Sequence, residues 1–240
     1  MMTHQLSPSL LWDMMLCKAN DISFVLYYHN VFTKYIILDD KRFYTIPPIA
    51  KSADAMVVLS DIDKVFWRNY NPNVHNVINP LTFDQKEIPE KKGNNKIIMW
   101  CGRLDKKHKQ YDDSVDIIKE VLKKSPDAKL FIVGSDDDHT NFDRLKDLIE
   151  NLDLQDSVIL CVYQKDITPF FNMASVYLTT SSHEGYPMSL MEAMLFGLPV
   201  VMYDLPYLTL TKGNRGVVSV PQKDVARAAD KYHYCWKTKT

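Results

Sequence analysis

Eight short apolar runs, separated by longer amphipathic or polar stretches, constrain what this chain can fold into. They are ISFVLYY (22–28), AMVVLS (55–60), VHNVIN (74–79), KIIMWCG (96–102), AKLFIVG (128–134), SVILCV (157–162), SVYLTTS (175–181) and LPVVMY (198–203). Each has the length of a strand, and their near-continuous apolar character predicts parallel strands covered on both faces. Between them the period changes. In 112–126, Val115, Ile118, Val121 and Leu122 recur at helical spacing, as do Phe142, Leu145, Leu148 and Ile149 in 140–154, with Thr140 and Asn141 as candidate caps. Strand–helix–strand alternation predicts an α/β fold with a largely parallel sheet, whose ligands bind at the carboxyl ends of the strands. At 240 residues and 46% hydrophobic, the chain is long enough for one large or two small domains.

The glycines divide it. None precedes Gly93, and the polar stretch DQKEIPEKKGNNK (84–96) reads as a linker. The expected domains are 1–85, with two or three strands, and 86–240, a nearly complete α/β domain. Net charge is −1, so the total gives no electrostatic case for binding nucleic acid or a membrane surface. Cys17, Cys101, Cys161 and Cys235 form no CxxC pair and no metal-ligand spacing with histidine, which points to a reducing compartment and no metal. The N-terminus lacks a basic region followed by a clean apolar one, and no apolar run approaches the length that spans a bilayer, so the expected setting is cytoplasmic.

Two stretches carry candidate chemistry. In HEGYPMSLMEAMLFGLPVV (183–201), seven residues separate Glu184 from Glu192, and Pro187 suits the first turn of a helix. The amides from about Tyr186 to Leu190 would lack intrahelical partners there, which together with the helix dipole suits a diphosphate. A carboxylate beside such a site can accept hydrogen bonds from vicinal sugar hydroxyls. Taken alone, the two glutamates read as a loop acid and a helix-terminal acid. In WCGRLDKKHKQ (100–110), Arg103 and Lys109 follow a buried strand on the loop into a helix, where two cations could clamp a diphosphate. As a bare charge run this loop reads as solvated, with His108 exposed.

Read together, these stretches resemble the retaining family 4 glycosyltransferases, which have the GT-B architecture of two Rossmann-like domains. GRLDKKHKQ is similar to the family's G-R-x5-K element. EGYPMSLMEAMLFGLPVV is similar to its E-x7-E element, ending in E-A-M-x-x-G-x-P-V-V. ADAMVVLS (53–60) and NVINP (76–80) resemble the passage from its first domain to its second. The resemblance implies a transfer of sugar from a nucleotide-diphosphate donor, UDP- or GDP-linked, to a saccharide or lipid-linked acceptor, with no cofactor or metal. Arg103 and Lys109 would contact the diphosphate. The segment Gly185, Tyr186, Pro187, Met188, Ser189 and Leu190 would hold phosphate and sugar, and Glu192 the ribose. Tyr163 and Gln164 would meet the base, although many members have glycine where Val162 stands. Glu184 would orient the sugar near its reacting face. His29 resembles the strand-end histidine that faces the sugar in this family. His183 is expected to shape its loop.

Measured against the family pattern, the first domain is short of strands and of a Gly-rich loop, and the closing C-terminal helices are absent. The expectation is therefore a chain truncated at both ends, with a non-catalytic nucleotide-binding remnant as the alternative to an enzyme of cell-envelope or exopolysaccharide synthesis. A nucleotide-sugar epimerase of the same architecture fits the two motifs less well. Peripheral association with the inner face of a membrane would run through the missing N-terminal region.

Overall fold

A computed structural model describes residues 2–3, 9–33, 44–81, 95–136 and 140–237. The chain divides into two compact units. The first comprises Met1–Pro80 with Glu184–Tyr186 and Tyr207–Thr209; the second comprises Leu81–His183, Pro187–Pro206 and Leu210–Thr240. The expected boundary at 85/86 lies outside the described residues.

The first unit holds a parallel sheet in the order β1 (Met2–Thr3), β2 (Val25–Tyr28), β3 (Ala55–Val58), β4 (Val74–Asn76), with helices α1 (Leu10–Ala19), α2 (Ile46–Ser52) and α3 (Asp61–Trp67). That is four strands where two or three were expected. β2 and β3 are not covered on both faces: Leu26, Tyr28, Met56 and Val58 are buried, while the alternate residues Val25, Tyr27, Ala55 and Val57 are half-buried. The core gathers Phe24, Leu26, Tyr28, Met56, Val58 and Trp67. Ser60 caps α3 by accepting the amide of Asp63.

The second unit holds six parallel strands: β5 (Ile97–Arg103), β6 (Lys129–Ser135), β7 (Val158–Cys161), β8 (Val176–Thr179), β9 (Val200–Tyr203) and β10 (Val217–Val220). Their spatial order is β10-β9-β8-β5-β6-β7. Counted within the unit, that is 3-2-1-4-5-6 read from the other edge, the doubly wound order of dinucleotide-binding folds, and the direction of winding reverses between β5 and β8. Here β8 and β9 are buried at every position, as their unbroken apolar runs require. The helices are α4 (Tyr111–Leu122), α5 (Thr140–Asn151), α6 (Thr168–Met173), α7 (Met188–Leu195) and α8 (Val225–Lys237).

Helix α4 shows why the helical period was readable. Val115, Ile117, Ile118 and Val121 are all fully buried in the core of this unit, where each aliphatic side chain contributes about 1.5–3 kcal/mol. Tyr232 and Cys235 of α8 join the same core. Helix α5 is described from Thr140 onward, where the Phe142 amide donates to Asp136 Oδ2 at 2.8 Å and Asn141 Nδ2 lies 3.2 Å from Asp136 Oδ1. A carboxylate at a helix N-terminus also meets the positive end of the dipole. Among the described residues, no helix is long and apolar enough to cross a membrane.

Candidate functional site

The carboxyl ends of β5 and β6 run side by side, with Gly102 opposite Gly134 and Arg103 opposite Ser135. A cavity of about 470 Å³ opens there. Its walls are these two strand ends, residues Tyr163 to Lys165 after β7, and Glu192 from α7. The glycines leave backbone bare at its floor. Gly134 has no room for a side chain: a β-carbon there would lie 2.9 Å from Leu104 Cδ2 and 3.0 Å from the Gly102 carbonyl oxygen. Tyr163 is 70% exposed, so its ring is open to a partner, while Gln164 Nε2 donates to the Val162 carbonyl at 3.2 Å.

The basic loop after β5 is built rather than loose. Lys109 and Gln110 donate their amides to the Asp105 carbonyl, at 2.8 and 3.2 Å. From the end of β8, Thr180 Oγ1 donates to the Lys109 carbonyl at 2.8 Å and the Ser182 amide to the His108 carbonyl at 2.8 Å. Thr180 is fixed in turn by the indole N–H of Trp100, 3.0 Å away. The consequence is that Lys109 lies against β5. A β-carbon on Gly102 would be 3.8 Å from both Cδ and Cε of Lys109. His108, expected to be exposed, is half-buried: its Nδ1 lies 2.5 Å from Asp105 Oδ2, and His183 stands edge-on to its ring at 4.7 Å. The expectation failed because a charge run shows no partners, and those of His108 lie on its own turn and on a loop some seventy-five residues away.

Helix α7 begins at Met188, with Pro187 in extended conformation as its cap residue and no side-chain cap hydrogen bond. The Ser189 hydroxyl, in its first turn, lies 2.7 Å from Tyr177 Oη and 3.3 Å from the Cys101 carbonyl oxygen. Tyr177 is 3.2 Å from the same oxygen. This three-way contact fastens the opening of α7 to the end of β5. Leu190 is buried in the core side, and Glu192, one turn in, is 5% exposed and lines the cavity. Burial pushes the Cys101 thiol up to about 12; the Glu192 carboxylate adds to this and Lys109 opposes it. Arg103, Lys109 and Glu192 are thus brought around one strand end.

Glu184, Gly185 and Tyr186 belong to the first unit by their contacts. The Glu184 amide donates to Tyr207 Oη at 3.0 Å, and Glu184 is 9% exposed. A β-carbon on Gly185 would come within 3.0 Å of the His29 carbonyl oxygen. His29 itself stacks at 4.1 Å on Tyr27. Burial raises the Tyr207 phenol above its usual range, and the charges of Glu184 and Asp63 raise it further. Sequence reasoning did not find Tyr207, Tyr177 or Asp105; for Asp105 the signal was an acid inside a basic run. Among the described residues, no group of three or more His, Cys, Asp or Glu could hold a metal ion. The second unit therefore presents two cations, a helix N-terminus and a buried carboxylate, a set suited to an anion carrying hydroxyl groups.

A family model described as Glycosyl transferases group 1 matches residues 82–236. An uncharacterized glycosyltransferase of Haemophilus influenzae is 33% identical over 155 residues, covering 64% of this chain and 42% of that protein. The poly(glycerol-phosphate) alpha-glucosyltransferase of Bacillus subtilis is 30% identical over 194 residues, covering 80% of this chain and 27% of that protein. Among solved structures, TarM superposes with a TM-score of 0.81 at 20% identity, over 98% of this chain and 47% of TarM. Anabaena Alr3699/HepE, solved in complex with UDP and glucose, gives 0.80 at 15% identity, over 99% of this chain and 68% of its own. These likenesses show the fold, α/β with parallel sheets as in GT-B glycosyltransferase structures. The chain spans about half the length, or less, of the curated relatives named here.

Proposed function

Because the chain belongs to the glycosyl transferases group 1 family, we propose that it is a retaining glycosyltransferase of family 4, moving a sugar from a nucleotide-diphosphate donor to a saccharide or lipid-linked glycan acceptor. The observation that carries this reading is that Arg103 and Glu192 line the cavity at the β5 end while Lys109 lies against Gly102 of the same strand end. Relatives add support: one is named a poly(glycerol-phosphate) alpha-glucosyltransferase, and a structural neighbour holds UDP and glucose. The proposed setting is polysaccharide synthesis at the cytoplasmic face of a membrane.

The chemistry asked of these residues is stabilisation of a leaving diphosphate. As the bond from the anomeric carbon to the diphosphate oxygen breaks, negative charge grows on that oxygen, and Arg103, Lys109 and the first amides of α7, from Met188 to Leu190, meet it. The acceptor hydroxyl forms the new bond on the face the diphosphate leaves, and its proton passes to the departing phosphate oxygen. No cofactor or metal takes part in this scheme. Glu192 accepts the ribose hydroxyls, Tyr163 and Gln164 meet the base, and Gly185 and Tyr186 lead the chain into the phosphate site. Glu184 and His29 serve the transferred sugar.

The test is calorimetry with UDP and GDP, followed by incubation with labelled sugar nucleotides and saccharide acceptors. Arg103→Ala should weaken the diphosphate that binds by about 10–100-fold, the scale of a charged hydrogen bond. Binding and turnover unchanged in Arg103→Ala and Glu192→Ala together would sink the site assignment. Diphosphate binding with no transfer or donor hydrolysis would select the second reading, a nucleotide-sugar-binding chain without turnover.

A further inference from the structure

An aspartate is an awkward neighbour for a diphosphate, yet Asp105 stands between Arg103 and Lys109 in the loop that is to hold one. Its carboxylate is fully engaged. Oδ1 accepts the amides of Lys107 at 3.0 Å and His108 at 3.1 Å. Oδ2 lies 2.5 Å from His108 Nδ1 and 3.5 Å from Arg103 Nη2. Its carbonyl accepts the amides of Lys109 and Gln110, and Gln110 takes a left-handed backbone (φ 48°) that turns the chain into α4. Burial alone would raise the Asp105 carboxyl; the His108 hydrogen bonds and the Arg103 charge more than reverse this and hold it below the usual carboxylate range. Asp105 therefore touches one donor-side cation through its side chain and sets the backbone of the other.

We propose that Asp105 is a positioning residue of the diphosphate site, fixing Arg103 and Lys109 in the arrangement that receives the phosphates without touching them itself. This rests on the reading that Arg103 and Lys109 bind the donor diphosphate. Electrostatics gives the proposal a sign. A carboxylate that is merely nearby repels the phosphates, so neutralising it would tighten binding. A carboxylate that only stabilises the fold would lower the melting temperature and leave the affinity of the folded protein alone. A positioning carboxylate, once neutralised, loosens diphosphate binding and spares the nucleoside, which makes no use of the loop. Asn at this position keeps an oxygen for the two loop amides but offers an NH₂ group to His108 and Arg103.

The experiment measures dissociation constants of UDP and GDP, and of uridine and guanosine, for wild type, Asp105→Asn and His108→Ala, below the melting temperature of each. The expected result is a loss of about 5–20-fold for the bound diphosphate in Asp105→Asn. His108→Ala, which removes one Oδ2 partner, should show a smaller loss in the same direction. Nucleoside affinity should stay within about twofold of wild type. Equal or tighter diphosphate binding in Asp105→Asn overturns the proposal, as does an equal loss for nucleoside and diphosphate. If Asp105→Asn does not fold, unchanged diphosphate affinity in His108→Ala overturns it. Wild type that binds neither UDP nor GDP removes the donor-site reading itself.

Discussion

Tyr203 Oη donates a 2.7 Å hydrogen bond to Asp113 Oδ2, joining the end of β9 to the first turn of α4 across ninety residues of sequence. Lys223 Nζ meets the other oxygen at 2.8 Å. Tyr203 is 1% exposed and Asp113 is 7% exposed, so water has little access to the pair. Tyr203→Phe would leave a buried carboxylate oxygen without its donor. The expected cost is about 1–3 kcal/mol in urea unfolding, with an unchanged m-value. Lys223 is more than half exposed, and Lys223→Met should cost no more than about 1 kcal/mol. A larger cost for Lys223→Met than for Tyr203→Phe would show that the ion pair, and not the phenol, holds the carboxylate.

At the floor of the cavity, Gly134→Ala has to displace the Gly102 carbonyl and the buried Leu104 side chain. Overpacking of this kind costs about 1–3 kcal/mol. The displaced groups line or support the cavity, so weaker nucleotide binding should accompany the lost stability. Gly197 is the control. A β-carbon there meets nothing within 4 Å, but its φ of +65° makes Gly197→Ala costly through backbone strain alone, with nucleotide affinity preserved. Alanine tolerated at 134 without loss of stability would contradict the close contact.

Asp63 gives stability an unusual pH dependence. It is fully buried, with the Ser60 hydroxyl against one oxygen and the Phe32 amide 2.8 Å from the other. Burial outweighs both hydrogen bonds and raises its carboxyl above the usual range. The folded protein then holds a proton that the unfolded chain releases near pH 3.9, so this group makes stability fall as pH rises from about 4 through the folded-state value. Asp54 runs the opposite way. Lys18 at 2.7 Å and the Phe24 amide hold it low, so its contribution is present above pH 3.9 and is lost on acidification. Asp63→Asn keeps an acceptor for Phe32 and should gain on wild type as pH rises. A difference between the two that stays flat from pH 4 to 7 would refute the assignment.

The Cys101 thiol should react slowly with iodoacetamide at pH 8, since almost none of it is thiolate. Glu192→Gln removes a charge that opposes ionisation, so labelling of Cys101, followed by mass spectrometry, should become faster. Unchanged labelling in the variant would place Glu192 away from this strand end.

Much of the fold was legible because its signals are local. All eight apolar runs contain strands, and the α4 and α5 periods were visible in their buried residues. β1 was missed because two residues carry no pattern. β10 was missed because its short run, GVVSV, has no alternation to set it apart from the tail before α8. The prolines of α2 hid a helix because they sit in its first turn, where they cost little. In the candidate site, the residue types were readable and their fastenings were not. Thr180 on Lys109, Tyr177 on Ser189 and Tyr207 on Glu184 join segments that are distant in sequence or carry no shared motif. The Asp136 carboxylate that takes the Phe142 amide, six residues on, is another partner that no pattern in the sequence marks.

The position of β5 at the middle of its sheet has a consequence during synthesis. One edge pairs with β6 soon after both leave the ribosome, but the other waits for β8, roughly seventy residues later. At ribosomal speeds of about 5–20 residues per second, the nascent chain carries an open, apolar strand edge for something on the order of 4–15 s. The strand that floors the cavity is thus also the one left longest in need of a chaperone, and chains stalled before residue 176 should be captured by such factors while chains released after β8 should not.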